Sequence, residues 1–198
     1  MVKDIDSKEK ILFAASKLFQ RQGYHATGLN QIINESGCPK GSLYYYFPNG
    51  KEQLAVEAIA RTKNQAIREF KQFLDQEEDA VKIIDLYLLE NTKSDFNADY
   101  DGVPIALIAL ETSLFSEPLR VACRDAYDAI KQLLKEKFIT SGWPSDMAED
   151  VCSFILSIVQ GSAVFAMTEL SNEPLKKMHR QVMEYIRMKE KELEASGE

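Results

Sequence analysis

Apolar residues recur every three or four positions along nearly the whole chain, and this spacing constrains its fold more than any other feature. In the first such segment, residues 6–22, the side chains of Ile11, Ala15, Leu18 and Phe19 fall on one face of a helix. Gly and Pro are sparse and stand where these segments end, as they do at the ends of helices. The pattern predicts an all-α protein of about nine helices.

Capping residues and the same spacing predict the other helices. Thr27 is a suitable N-cap for a short helix at 28–36, and Gly37 ends that helix in a tight turn. Pro39 begins a third helix that ends near Tyr46. A fourth helix is expected at 51–74, with a polar loop at 94–102 and further helices near 78–93, 104–115, 117–141, 145–170 and 172–194.

Two short helices joined by a glycine turn, with a longer helix before them, form the pattern of a helix-turn-helix. We therefore predict a helix-turn-helix domain at 1–50 and a larger helical domain at 51–198. Residues 1–55 carry seven Lys or Arg and five Asp or Glu, a net charge of +2, whereas the remainder carries 17 and 26, a net charge of −9. One end of the chain can therefore approach a polyanion that the other end repels.

The third helix has an outward face suited to nucleic acid. Leu43 and Phe47 are spaced to face the core. The opposite side has no charges and no large aliphatic side chains, and consists of Gly41, Ser42, Tyr44 and Tyr45. Hydroxyl groups can bind phosphates or base edges, and Lys40 in the first turn can reach a phosphate or a guanine. The alternative is that these tyrosines are core or partner-facing aromatics; Tyr46 is assigned inward, against the fourth helix.

The stretch 26–54 resembles the DNA-binding signature of the TetR family. The specific part is Lys40-Gly41-Ser42-Leu43-Tyr44-x-x-Phe47, followed by Lys51-Glu52-x-Leu54. The resemblance implies a ligand-responsive repressor that binds a palindromic operator in double-stranded DNA as a dimer. The residues that it places at the DNA are Thr27, Gly28, Asn30, Lys40, Gly41, Ser42, Tyr44, Tyr45 and Lys51. The segment from Phe47 to Lys51 is one residue longer than the usual family pattern, which bears on the reach of Lys51.

The C-terminal region has a second resemblance. The segments 102–111 (GVPIALIALE) and 117–120 (EPLR) are similar to LmrA/YxaF-type TetR regulators, a subgroup associated with efflux control and flavonoid response. The segment 151–167 is apolar almost all round, but it is too short and too polar for a membrane span. A helix of this kind needs neighbours on several faces, so we expect a homodimer through the two C-terminal helices. The alternative is a purely intramolecular core.

A small apolar or aromatic effector is expected to bind the C-terminal domain and to shift the dimer to a state that releases the operator. The candidate residues combine apolar walls with a few polar groups, as ligand pockets do. They are Tyr87, Glu90, Glu111, Phe115, Phe165 and Met167. The alternative for each is ordinary core packing or, for the two glutamates, a solvated face.

The sequence has no nucleophile-base motif, phosphate loop, HExxH or cofactor fingerprint, so neither an enzyme nor a cofactor is expected. Cys38, Cys123 and Cys152 lack metal-ligand spacing, so no metal site is expected. We predict that they are buried in a reducing cytoplasm, with a redox switch as the alternative. The N-terminus shows no secretory signal, so the protein is expected to be cytoplasmic. The rival to a DNA reader is a helical adaptor that binds other proteins.

Overall fold

The computed structural model describes residues 6–93, 102 and 104–196, and in these residues the chain forms nine α-helices and no strand. The predicted all-α fold is therefore confirmed. The bounds are α1 Ser7–Gln22, α2 Leu29–Ser36, α3 Lys40–Tyr46, α4 Gly50–Leu74, α5 Ala80–Asn91, α6 Ile105–Thr112, α7 Glu117–Thr140, α8 Ser145–Glu169 and α9 Glu173–Ser196. The predicted loop at 94–102 lies outside the described residues, except for residue 102.

The capping of α2 differs from the prediction. The helix begins after Gly28, so the predicted N-cap Thr27 is wrong by one residue. The hydroxyl of Thr27 donates instead to the carbonyl of Gly23 at 2.7 Å, which turns this side chain into the interior. Gln31 reaches back to the helix start, and its Oε1 accepts from the N–H of Gly28 at 2.8 Å. The side chain of a residue three positions into the helix thus does the capping.

The chain divides into two compact units. The first contains the described residues within 1–66 and 99–128, and the second contains those within 67–98 and 129–198. Helices α4 and α7 each contribute residues to both units. The first unit thus extends beyond the predicted domain 1–50 and includes α6 together with the first half of α7. The assignment of DNA binding to a domain at 1–50 stays a prediction.

The core of the first unit is built from the apolar faces of α1, α2, α3 and α4. The predicted inward residues of α1 are all buried, and Leu43 and Phe47 are fully buried against them. Ile108 of α6 and Leu119 of α7 complete the same core. The short helices α2 and α3 are therefore held by packing, because isolated helices of their length are not stable in water.

The core of the second unit lies between the C-terminal end of α4 and the helices α5, α7, α8 and α9. The side chains of Leu175, Met178, Val182 and Ile186 lie along the buried face of α9. Trp143, in the turn before α8, is buried and makes an edge contact with Phe138, with 5.0 Å between the ring centroids.

Helix α8 buries only part of its apolar surface. Val151, Cys152 and Ile155 are buried, whereas Phe165 and Met167 are 63% and 67% exposed. Among the described residues, this is the helix long and apolar enough to cross a membrane by length and composition, a test that core helices also pass. An open groove of about 410 Å³ separates its C-terminal half from α9. Apolar side chains on such a surface are available to a partner.

Candidate nucleic-acid interface

The turn between α2 and α3 sets the direction of the third helix. Gly37 ends α2 with φ of 64°, in the left-handed region that favours glycine. Pro39 is the N-cap of α3, so the helix begins at Lys40, one residue after the predicted start. Its fixed φ suits the entry to a helix, and the N–H that it lacks would have no partner in the first turn. The sequence thus specifies a helix, a tight turn and a second helix within 18 residues, from Leu29 to Tyr46.

Helix α3 separates its core-facing and outward side chains as predicted. Leu43 is fully buried, whereas Tyr44 and Tyr45 are 44% and 79% exposed. A ring as exposed as that of Tyr45 adds little to the core, so it is free to contact a partner. The ammonium of Lys40 lies 5.8 Å from the centroid of the Tyr44 ring, which places a positive charge beside the exposed hydroxyls.

Tyr46 is only partly buried, and its bracing contact differs from the prediction. Its hydroxyl donates to Asp6 Oδ1 at 3.2 Å, so the side chain links α3 to the start of α1. The nearby negative charge of Asp6 raises the pKa of this hydroxyl. Its backbone carbonyl accepts from Gln53 of α4 at 3.3 Å. The predicted contact with α4 is thus made by the main chain.

Five of the nine predicted DNA contacts surround one concavity. Its volume is about 420 Å³, and its lining consists of Thr27, Gly28, Leu29, Asn30, Gln31, Tyr44 and Lys51. The remaining four predicted residues, Lys40, Gly41, Ser42 and Tyr45, lie on α3. Gln31 also lines the concavity and was not among the predicted residues, although a Gln three residues after an N-cap is the signature of a capping box.

Two predicted contacts already have intramolecular partners. The ammonium of Lys51 donates to the carbonyls of Tyr24 and Thr27 at 3.0 and 2.9 Å, and it lies 4.3 Å from the centroid of the Tyr24 ring. Partial burial lowers the pKa of Lys51. The hydroxyl of Thr27 is likewise engaged with Gly23. Contact of these two side chains with phosphate stays a prediction.

The candidate effector residues fall into both units. Tyr87 of α5 is mostly buried between Phe70 and Phe73, with ring centroids 4.9 and 5.4 Å away, and its burial raises the pKa of its hydroxyl. Glu90 is exposed and pairs with Lys93 at 2.6 Å. These contacts make Tyr87 the candidate with an apolar surround, whereas Glu90 faces solvent.

The other four candidates are placed as follows. Phe165 and Met167 are exposed on α8, and Phe165 lines the groove beside α9. Phe115, after α6, is 84% exposed in the first unit. Glu111 of α6 also belongs to the first unit, where its carboxylate accepts from the backbone N–H of His25 at 3.0 Å. An effector contact by any of the four stays a prediction.

The predicted burial of the cysteines is confirmed. Cys38, Cys123 and Cys152 are all free thiols and buried. Burial raises the pKa of Cys123 to about 11 and that of Cys152 to about 12. Because the thiolate is the reactive form, Cys123 and Cys152 are poorly reactive near neutral pH.

Two family models match separate parts of the chain. Residues 11–58 match the model described as bacterial regulatory proteins of the tetR family. Residues 80–181 match the model described as the C-terminal domain of LmrA/YxaF-like transcriptional regulators. The first match covers the helices that surround the concavity, and the second covers most of the C-terminal helices.

Related proteins match nearly the whole chain. The chain is 41% identical to the uncharacterized HTH-type transcriptional regulator YxaF of Bacillus subtilis, over 93% of this chain and 97% of that protein. It is 42% identical to the HTH-type transcriptional regulator LmrA of the same organism, over 86% of this chain and 91% of that protein. A crystal structure of a TetR transcriptional regulator from Legionella pneumophila has the same fold, with a TM-score of 0.79 and 20% identity over 93% of this chain and 99% of that one.

Proposed function

This chain belongs to the TetR family of transcriptional regulators, and we propose that it is a cytoplasmic repressor that binds a palindromic operator as a homodimer. The proposal rests on the outward face of α3, where Tyr45 is 79% exposed and Tyr44 lies beside Lys40 and lines the concavity. Hydroxyl-bearing rings can hydrogen-bond to base edges and phosphates, and a helix of this size fits the major groove. Family membership supports DNA reading over the alternative of a helical adaptor.

Dimerisation would give the regulator two reading heads. The apolar surface of α8 and its groove with α9 support an interface through the two C-terminal helices. Two copies related by a twofold axis would read two half-sites about one turn apart, roughly 34–36 Å between centres. A palindromic operator would reflect that symmetry.

The test is selection of bound duplexes from a random DNA pool by the purified protein at near-physiological salt. We expect enrichment of a palindrome with half-sites about one turn apart. Tyr45→Ala should weaken binding to that duplex by roughly tenfold to a hundredfold, the range of one good base contact. Lys40→Ala should weaken it and lower the salt dependence, because a lost phosphate contact releases about one counterion fewer.

The matched control is Lys82→Ala, which removes an exposed lysine from α5 in the second unit. It should leave both affinity and salt dependence unchanged. Loss of binding in Lys82→Ala alone, or equal binding by wild type and Tyr45→Ala, would place the reading surface elsewhere. A folded dimer that enriches no duplex, even after unfolding and refolding to strip bound ligand, would favour the adaptor.

The effector is proposed to be a small planar aromatic molecule bound in the second unit. The support is the aromatic group of Phe70, Phe73 and Tyr87, together with the resemblance to flavonoid-responsive regulators. To act, the effector must bind the released state more tightly than the DNA-bound state by several kcal/mol.

A flavonoid panel added to the protein–DNA complex tests this directly. We expect some members to release wild-type protein but not Tyr87→Ala, while both bind the duplex equally without effector. If the same effector concentration releases both wild type and Tyr87→Ala from DNA, Tyr87 is not part of the effector site.

A further inference from the structure

Glu111 of helix α6 contacts the turn between α1 and α2 through both its side chain and its main chain. The backbone N–H of His25 donates to Glu111 Oε2 at 3.0 Å, and the backbone oxygen of Glu111 lies 3.1 Å from His25 Nε2. Both the side chain and the main chain of Glu111 therefore hold the same turn, which runs from Gly23 to Thr27. A hydrogen bond to a carboxylate is stronger than one to a neutral acceptor.

Gly23 leaves room for this carboxylate. A Cβ atom at this position would overlap Glu111 Oε1. The backbone there has φ of 81° and ψ of 171°, a region that is essentially restricted to glycine. Moving the carboxylate aside to accept a side chain would break its hydrogen bond with His25. Residues 23 and 111 are thus coupled in two ways: a side chain at position 23 would clash with the carboxylate, and the carboxylate is hydrogen-bonded to the turn that contains Gly23.

Lys51 holds the same turn from the opposite direction. Its ammonium donates to the carbonyls of Tyr24 and Thr27, while Glu111 offsets part of the effect of burial on the pKa of Lys51. A negative group thus binds the turn's N–H and a positive group binds its carbonyls. Residues 27 and 28 then enter the concavity directly.

Independent contacts fix α6 in the first unit. Ile108 is fully buried in the core that α1, α2 and α3 share. The hydroxyl of Ser116, just after the helix, donates to Glu52 Oε2 of α4 at 2.7 Å. Glu111 therefore projects from a helix that is anchored on both sides of it, so its carboxylate can set the position of a more exposed turn.

We propose that Glu111 is a positioning residue for DNA binding, holding the α1–α2 turn so that the exposed Gly28, at the start of α2, is presented to the phosphate backbone. The inference rests on the proposed function, and it gives Glu111 a different role from the effector contact predicted from the sequence. Glu111 itself does not touch DNA in this proposal. It acts through His25 and, by its charge, through Lys51.

The test compares Glu111→Ala and Glu111→Gln, using the duplex that wild-type protein enriches from a random pool. Glu111→Ala should bind roughly tenfold more weakly, the change that corresponds to about 1.4 kcal/mol. Glu111→Gln should recover part of the loss, because its amide oxygen can still accept from His25.

The matched control is Glu117→Ala, which removes an exposed carboxylate paired with Arg120 at the start of α7. It should bind as wild type does. Circular dichroism and thermal unfolding establish that each variant is folded. If Glu111→Ala proves unfolded, Glu111→Gln decides the question by its smaller loss of affinity.

A double-mutant cycle with Gly23→Ala tests the coupling separately. The backbone strain of Gly23→Ala is present in both backgrounds, so it cancels in the cycle. The substitution should cost more DNA affinity with Glu111 present than with Glu111→Ala. Additive effects, or a folded Glu111→Ala variant with unchanged affinity, would overturn the proposal. A wild-type protein that enriches no duplex would overturn the proposed function instead.

Discussion

Helices α3 and α8 both present aromatic side chains to solvent, but the chemistry of the two surfaces differs. On α3, the exposed rings of Tyr44 and Tyr45 carry hydroxyls, and the Tyr44 ring lies beside Lys40. On α8, the exposed Phe165 and Met167 have no hydrogen-bonding donor. Exposure alone therefore does not identify a partner. Rings with polar tips can bind a hydrated, charged surface, whereas hydrocarbon side chains gain free energy only when water is removed from them.

The two helices also differ in how their buried faces are used. The short α3 is anchored by Leu43 and, just past its end, by Phe47, both fully buried. In the longer α8, most of the buried residues lie in the N-terminal part, and the apolar C-terminal part borders the open groove. The contrast predicts that α3 depends on its own unit for stability, and that α8 is completed by a second copy of the chain.

The largest expected effect is loss of stability on removing an anchor of α3. Phe47→Ala should lower the free energy of unfolding by about 3–5 kcal/mol, because it leaves a cavity in the core of the first unit. Tyr45→Ala, two residues earlier, should stay within about 0.5 kcal/mol of wild type, because the ring is exposed. Urea unfolding followed by circular dichroism measures both.

Equal destabilisation by the two substitutions would mean that Tyr45 is a core residue. The outward face of α3 would then be unavailable to DNA. The proposed contrast between a polar exposed surface on α3 and an apolar one on α8 would be wrong for α3.

The next largest effect is expected at the exposed part of α8. Phe165→Glu should weaken self-association by roughly a hundredfold, or about 2.7 kcal/mol, because a charge would enter an apolar interface. Sedimentation equilibrium over a range of concentrations measures the dimer dissociation constant. The matched control is Leu86→Glu on α5, where the native side chain is 50% exposed. Equal weakening by both variants, or a monomeric wild type, would remove the proposed interface from α8.

Regular helices were predictable because their signals are local. The spacing of Ile11, Ala15 and Phe19 along α1 identified a face that is fully buried. The start of α2 was placed one residue early because Thr27 is a good N-cap by type. The competing hydrogen bond to Gly23 that draws its hydroxyl inward depends on the turn and could not be read from the residue alone.

Contacts between distant residues were not predictable in the same way. His25 and Glu111 are 86 positions apart, so nothing in the local pattern brings them together. Glu111 was assigned to an effector site because a polar group in an apolar segment is typical of a ligand pocket. The family resemblance predicted that Lys51 binds phosphate. It could not predict that the fold of residues 24–27 places the carbonyls of Tyr24 and Thr27 within hydrogen-bond distance of the Lys51 ammonium.

A smaller effect distinguishes internal from DNA-facing polar groups in the first unit. Thr27→Val should lower the free energy of unfolding by roughly 1–2 kcal/mol, because the buried carbonyl of Gly23 loses a hydrogen bond. Thr27→Ser retains the hydroxyl and should recover most of that stability. Thermal unfolding measures the change. A loss of DNA affinity with unchanged stability would show instead that the hydroxyl binds phosphate.

The smallest expected effect concerns a surface ion pair of the second unit. Glu149 of α8 accepts from Lys131 and Lys135 of α7 at 2.8 and 2.9 Å, and these hydrogen bonds hold the pKa of Glu149 at about 2 rather than 4.5. A carboxyl group whose pKa is lowered by folding stabilises the protein above its unfolded-state pKa, and that contribution is lost as the pH falls. The unfolding temperature should therefore decline less between pH 4.5 and about 2 in Glu149→Gln than in wild type.

Exposure to solvent limits this contribution, because screening weakens ion pairs at the surface. Glu117→Gln, which removes a paired carboxylate from the first unit, is the matched control. Glu117 pairs with Arg120 one turn away on α7 itself, whereas Glu149 joins two helices. If the pair matters by joining helices, only Glu149→Gln should alter how steeply the second unit loses stability in acid. Parallel curves for Glu149→Gln and wild type would show that packing alone holds α7 against α8.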